Sequence, residues 1–328
     1  MKLLAPLAAI SGLALLTALI GYFGFAAVLA ALISSRWGTV LVVIARALAL
    51  AGAGIGWWLV LTPERPRTSV FIGLRYIRDA INTLIPFAVV GGDVVGARLL
   101  SHFGVAASSA VASVLVDIFL QVVCLIILLL AGLGIVADLV GAERITGAAL
   151  AIMVIAVPAV TGFFLTLNFG AFEPVVRRLV AFGEKHQWAV FDHVADLGDR
   201  LQQIWRNHRN LLVSLGVHLV TVFFGATEVW ISLFFMGHPV APLAAIAIEA
   251  LGQGSRAAAF VLPGGVGVQD GTLIAASALF GVPPEVALAM ALIKRVPDLV
   301  LGIPSLVAWQ ALEGRRVWSK RRPSERRP

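Results

Sequence analysis

A chain of 328 residues that is 59% hydrophobic and 13% charged, with a mean hydropathy of +0.95, is too apolar for a soluble globular protein, where about a quarter of residues carry charge. Its formal net charge of +7 comes from 25 Lys and Arg against 18 acids. No nucleic-acid-binding motif accompanies that excess, so it points to membrane topology and lipid surface instead. The single cysteine, Cys124, excludes an internal disulfide and a Cys-rich metal site.

A helix needs about 20 apolar residues to cross a bilayer core. Six predicted spans meet that requirement in chain order: roughly 3–21, 38–61, 107–136, 145–169, 210–236 and 285–312. The first is too long for a signal-peptide core and no A-x-A cleavage site follows, so it reads as a retained span. Residues 23–36 suit an interfacial or partly inserted helix. The GAGIG run at 52–56 lies inside a span, where small residues let helices pack closely. Trp37, Trp57, Trp58, Trp230, Trp309 and Trp318 fall near predicted span ends, as an interfacial aromatic belt would.

Charge sets the orientation. The 62–79 connection carries four Arg against two acids, the 171–209 insertion six Lys and Arg, and the tail after Leu312 seven. The connections at 137–144 and 237–242 are acidic or neutral. Basic connections stay in the cytoplasm, which places both termini there. Within 171–209, Phe191, Val194, Leu201, Ile204 and Trp205 recur at helical spacing. They predict an amphipathic helix lying along the membrane surface, with docking of a partner as the alternative. The basic tail at 313–328 suits anionic headgroups.

Two apolar regions, 80–104 and 243–281, do not fit the span count, because Gly, Pro and charged residues interrupt them. Superposed at an offset of 177 residues they match without a gap. Pro86 falls on Pro263, Asp93 on Asp270, and Phe103-Gly104-Val105 on Phe280-Gly281-Val282. The repeat units run over about 68–136 and 243–312 of a single 1–328 transmembrane domain. One follows a cytoplasmic connection and the other an external one, so the repeat is predicted to be inverted, each copy carrying a broken or re-entrant hairpin. Such repeats build transporter sites near the bilayer midplane. Irregular backbone at that depth survives only where protein buries it or water reaches it.

Asp93, Arg98, Asp117, Glu228, Glu249, Arg256, Asp270, Lys294 and Arg295 all lie in or beside apolar runs, with Arg46 and Asp298. Each would cost about 2.5–3.5 kcal/mol unpaired at the bilayer centre. They are therefore expected to pair or to line a wet cavity. Asp117 and Lys294 are equivalent in the repeat, so Asp117 with Lys294 or Arg295 is the expected cross-repeat ion pair. Arg98, Arg256 and the backbone N–H groups around Gly91-Gly92 and Gly264-Gly265 form the predicted cradle for a phosphate or other anionic headgroup. Asp93, Glu228, Glu249 and Asp270 are the candidates for protonation during transport. Arg46 is expected to snorkel to an interface, and His218 to be a hydrogen-bonded interior residue.

PGGVGVQDGT at 263–272 lacks the Gly-Lys-Ser/Thr of a P-loop and has the wrong spacing for a dinucleotide fingerprint. No HExxH, G-x-S-x-G or paired-His metal spacing occurs. The expectation is a protein with no cofactor, no metal and no catalytic residues. Paired carboxylates in a wet cavity leave an intramembrane acid–base enzyme as a rival, and a membrane scaffold as another.

NTLIPFAVVGGDVVGARLL and LPGGVGVQDGTLIAA, in a chain of this length, resemble the flippase-like membrane family that includes the membrane region of lysylphosphatidylglycerol synthases. Within it the chain is most similar to the hopanoid-biosynthesis-associated HpnL membrane proteins. That resemblance implies lipid handling in a bacterial inner membrane, with hopanoids or anionic lipids as ligands and hopanoid biosynthetic proteins as possible partners. Gln269-Asp270 stands where many broader members carry Arg-Glu, so a headgroup preference does not transfer directly. Nothing in the sequence corresponds to the synthases' aminoacyl-transferase domain.

Overall fold

A computed structural model describes residues 33, 35–61, 65–85, 91–140, 162, 196–259 and 267–320. The described residues are helical or in turns, and the chain is all-α. Three helices are long and apolar enough to cross a membrane: α1 (Trp37–Val60), α4 (Ala107–Val140) and α6 (His208–Phe235). They correspond to the predicted spans at 38–61, 107–136 and 210–236. The spans predicted at 3–21 and 145–169, nearly all of 23–36 and most of 171–209 lie outside the described residues, as do Gly264 and Gly265.

Helix α2 (Thr68–Leu84) begins inside the segment read as a basic connection. Phe71, Leu74, Ile77, Arg78 and Ile81 are buried along it, the i, i+3, i+4 stripe of a core-facing helix. Two of the four arginines that entered the orientation argument, Arg75 and Arg78, therefore belong to the interior and are no topology signal.

The described C-terminal parts of the two broken regions match in local structure. Helix α3 (Gly91–Ser101) and helix α8 (Val268–Ala278) start and end at the same offset of 177 residues. Each is followed by a glycine in the left-handed region, Gly104 at φ 88° and Gly281 at φ 73°, where a side chain would be strained. The next helices, α4 from Ala107 and α9 (Pro284–Ile293), also start in register.

Beyond that point the copies diverge. α4 continues unbroken to Val140, whereas α9 stops at Ile293 and α10 (Val296–Lys320) resumes after Lys294 and Arg295. The expected single span at 285–312 is thus two helices. Pro297 supplies the cause, since its ring has no N–H to donate and clashes with the carbonyl four residues back, that of Ile293.

Two of the four apolar clusters among the described residues hold these elements. In one, α9 is buried on nearly every side, with Val286 through Ala291 and Ile293 packed among residues of α6, α7 (Pro242–Ala258) and α8. The other joins α1, α2, α3 and the start of α4 through Trp57, Phe71, Leu99, Leu100 and Val114. Trp57 is fully buried and donates its indole N–H to Ser113 Oγ at 3.1 Å. It is a core residue, not the belt residue its place in the sequence suggested. Trp37, at the other end of the same helix, is 73% exposed. A short helix, α5 (Leu197–Arg206), buries Leu201 and Ile204 and sets Trp205 edge-on against Phe119 of α4. The described end of the amphipathic insertion therefore packs on a span.

Candidate functional site

Residues of α1, α2, α3, α4, α6 and α7 enclose a polar cavity of about 500 Å³. Arg46, Arg75, Arg78 and Arg256 line it with His218, and Asp79, Asp93 and Glu228 supply carboxylates. These side chains come from α1, α2, α3, α6 and α7, and Ile118, Gln121 and Leu125 of α4 add to the lining, so the cavity draws on both broken regions and on all three spans.

One wall is organised around Asp117 of α4, which is fully buried. Its Oδ2 accepts from Arg78 Nη1 at 2.9 Å, from Arg75 Nη1 at 3.3 Å and from Gln121 Nε2 at 2.8 Å. Its Oδ1 lies 3.1 Å from His218 Nε2. The remaining edge of the Arg78 guanidinium, Nε and Nη2, donates to Asp93 Oδ1. Asn82 Nδ2 donates to the other oxygen of Asp93 at 3.1 Å. Arg78 also stands over the Trp57 ring, 4.5 Å from its centroid, a cation–π contact that favours the charged guanidinium. The approach depends on Gly96, where an added Cβ would lie 2.6 Å from Arg78 Cδ.

The opposite wall is organised around Lys294, which is 5% exposed. Its Nζ lies 3.0 Å from Glu228 Oε2, 2.8 Å from Glu249 Oε2 and 3.2 Å from the Gly225 carbonyl. Arg46 Nη2 donates to the same Glu228 oxygen at 3.1 Å, and Gln253 Nε2 donates to Glu249 Oε1 at 2.8 Å. Gly225 is again a packing requirement, because a Cβ there would come within 2.3 Å of Glu249 Oε1. Pairing charges in this way offsets part of the cost of placing them in an apolar surround.

The structure brings together many, but not all, of the predicted site residues. Asp93, Glu228 and Arg256 line the cavity, while Asp117, Glu249 and Lys294 stand behind its walls and hold lining residues in place. Asp117 and Lys294 do not pair with each other, nor Asp117 with Arg295. Each has partners of its own, from α2 and α6 for Asp117 and from α6 and α7 for Lys294. Asp270 and Arg295 pair at 2.8 Å outside the lining, and Asp270 Oδ2 accepts from the Gly267 N–H at 2.8 Å, closing the first turn of α8. Arg98 pairs with Glu313 at 2.9 Å, also outside the lining. The Gly92 N–H donates to Asn82 Oδ1 at 2.8 Å, so that amide is engaged and not available to an anion as expected. Arg46 reaches inward to Glu228 instead of snorkelling outward. His218 is buried and bonded, as its place on a span implied.

Membrane-crossing helices enclosing a charged, largely self-paired cavity define an integral membrane protein of the polytopic all-α class. Residues 7–304 match the family described as lysylphosphatidylglycerol synthase TM region, and the chain belongs to it. The match spans every residue of the cavity. No curated protein and no solved structure matches the chain.

Proposed function

We propose that the protein is a lipid translocase that takes the polar headgroup of an amphipathic lipid into the cavity and leaves the tail in the bilayer. The carrying observation is the cavity itself: four arginines, a histidine and three carboxylates facing one space between spanning helices. Uncharged lipid tails have no use for such a lining, whereas a headgroup does. The matched broken regions support the same reading. With the two units in opposite orientation, rocking one against the other would open the cavity to each leaflet in turn. Membership of the family is in keeping with lipid handling. The resemblance to hopanoid-associated members makes hopanoids the first lipids to test, at a bacterial inner membrane with both termini cytoplasmic.

Mass spectrometry of lipid co-purified with the protein identifies the ligand. Vesicles containing the purified protein should then move a fluorescent form of that lipid between leaflets. Arg256→Ala should abolish the movement while the protein keeps its thermal unfolding midpoint. Unchanged movement in that variant removes the cavity from the mechanism.

A further inference from the structure

We infer that the cavity selects a zwitterionic headgroup, one carrying an ammonium together with a phosphate or carboxylate, over a purely anionic or uncharged one. This rests on the cavity being a headgroup site. Within the two walls, Arg46, Arg75, Arg78 and Lys294 face Asp93, Asp117, Glu228 and Glu249. Four cations meet four carboxylates, so the walls carry no net charge while His218 is neutral. Two lining groups are left over. Among the described residues Arg256 has no carboxylate within ion-pair distance and a single side-chain hydrogen bond, a long one of 3.4 Å to Thr83 Oγ1. Asp79, likewise, has no ion-pair partner among the described residues, although it faces the same space.

These two residues occupy equivalent positions. Asp79 on α2 and Arg256 on α7 stand 177 residues apart, one on each helix that leads into a broken region. The repeat therefore presents one free carboxylate and one free guanidinium to a common cavity. Asp298 on α10 interacts electrostatically with both of them and with Arg46, with which Asp79 also interacts. This puts them in one neighbourhood and adds a second acid and a glutamate-paired arginine to it. In a site of low dielectric a bare anion is drawn by Arg256 but repelled by Asp79 and Asp298, and a bare cation meets the reverse. A headgroup with both charges satisfies both groups, and the mismatched charge works against other ligands.

Native mass spectrometry of the purified full chain tests this. The protein is equilibrated with an equimolar mixture of phosphatidylethanolamine, phosphatidylglycerol and diacylglycerol bearing identical acyl chains. Wild type should retain phosphatidylethanolamine about tenfold over either competitor, the scale of one charge-assisted contact. Asp79→Asn should move retention toward phosphatidylglycerol, and Arg256→Gln should remove the advantage over diacylglycerol. The double exchange Asp79→Arg with Arg256→Asp should keep the preference for phosphatidylethanolamine. Equal retention of the three lipids, or preference for phosphatidylglycerol by wild type, overturns the inference whatever the variants do. Vesicle transport separates the two readings. Lipid movement without zwitterion preference overturns this inference alone, whereas selective retention without movement overturns translocation and leaves the selectivity standing.

Discussion

Asp117 and Lys294 hold the same place in two matched units, yet one is a carboxylate set among cations and the other an ammonium set among carboxylates. Each takes partners from the helix that leads into its own broken region, Arg75 and Arg78 on α2 for the first and Glu249 on α7 for the second. Helix α6 serves both, with His218 for one and Glu228 for the other, about 15 Å apart along its axis at helical rise. Positions matched at the 177-residue offset thus carry opposite charge. Helices α1 and α6, outside both units, complete the pairing through Arg46, His218 and Glu228, and among the described residues no ion pair joins Asp117 directly to Lys294. Any separation of the two centres has to release α6 from one of them, since His218 and Glu228 hold it to both.

Removing either centre is the severest way to break this comparison. Lys294→Ala leaves two buried glutamates with only Arg46 nearby, and Asp117→Ala leaves two arginines with only Asp93. Each should cost about 3–5 kcal/mol, measured by thermal unfolding in detergent. A large loss for one and almost none for the other would show that the centres are not counterparts. Next come the close glycines: Gly225→Ala and Gly96→Ala should each cost about 1–3 kcal/mol through overpacking against Glu249 and Arg78. A neutral result at either position means that its charged neighbour has room to shift.

Asp270→Asn weakens the Arg295 pair and the turn at Gly267, and should lower stability by about 1 kcal/mol. Its effect on lipid movement, if any, should come with that change in unfolding midpoint. The smallest effect belongs to Arg98→Ala. The Arg98–Glu313 pair is 30% and 20% exposed, and such pairs are worth less than about 1 kcal/mol. A loss there exceeding that of Lys294→Ala would put the important electrostatics at the rim instead of the cavity walls.

The three spans could be read directly because their apolar runs are long and end sharply. The matched segments could be read because Asp93, Asp270 and the two Phe-Gly-Val turns stand at one offset, and α3 and α8 do start and end at that offset. Partner choice was hidden. Asp117 and Lys294 are equivalent and opposite in charge, which suggests that they meet, but equivalence says nothing about distance. Arg75 and Arg78 were missed because arginines next to a Pro-rich connection look like a topology signal. A detectable clue existed: Arg78 falls on the stripe Phe71, Leu74, Arg78, Ile81, the buried face of α2. The break at Lys294 also had its marker in Pro297, overlooked because the surrounding apolar run is long enough to span.

Lys294 is one of four lysines in the chain, and its amine is held between two carboxylates with almost no access to water. An amine-reactive reagent can acylate it only when that enclosure loosens and the nitrogen gives up its proton. The rate at which Lys294 becomes labelled in intact membranes is therefore a clock for opening of this wall. A ligand that holds the cavity shut should slow it, with no need for a fluorescent lipid or a second variant.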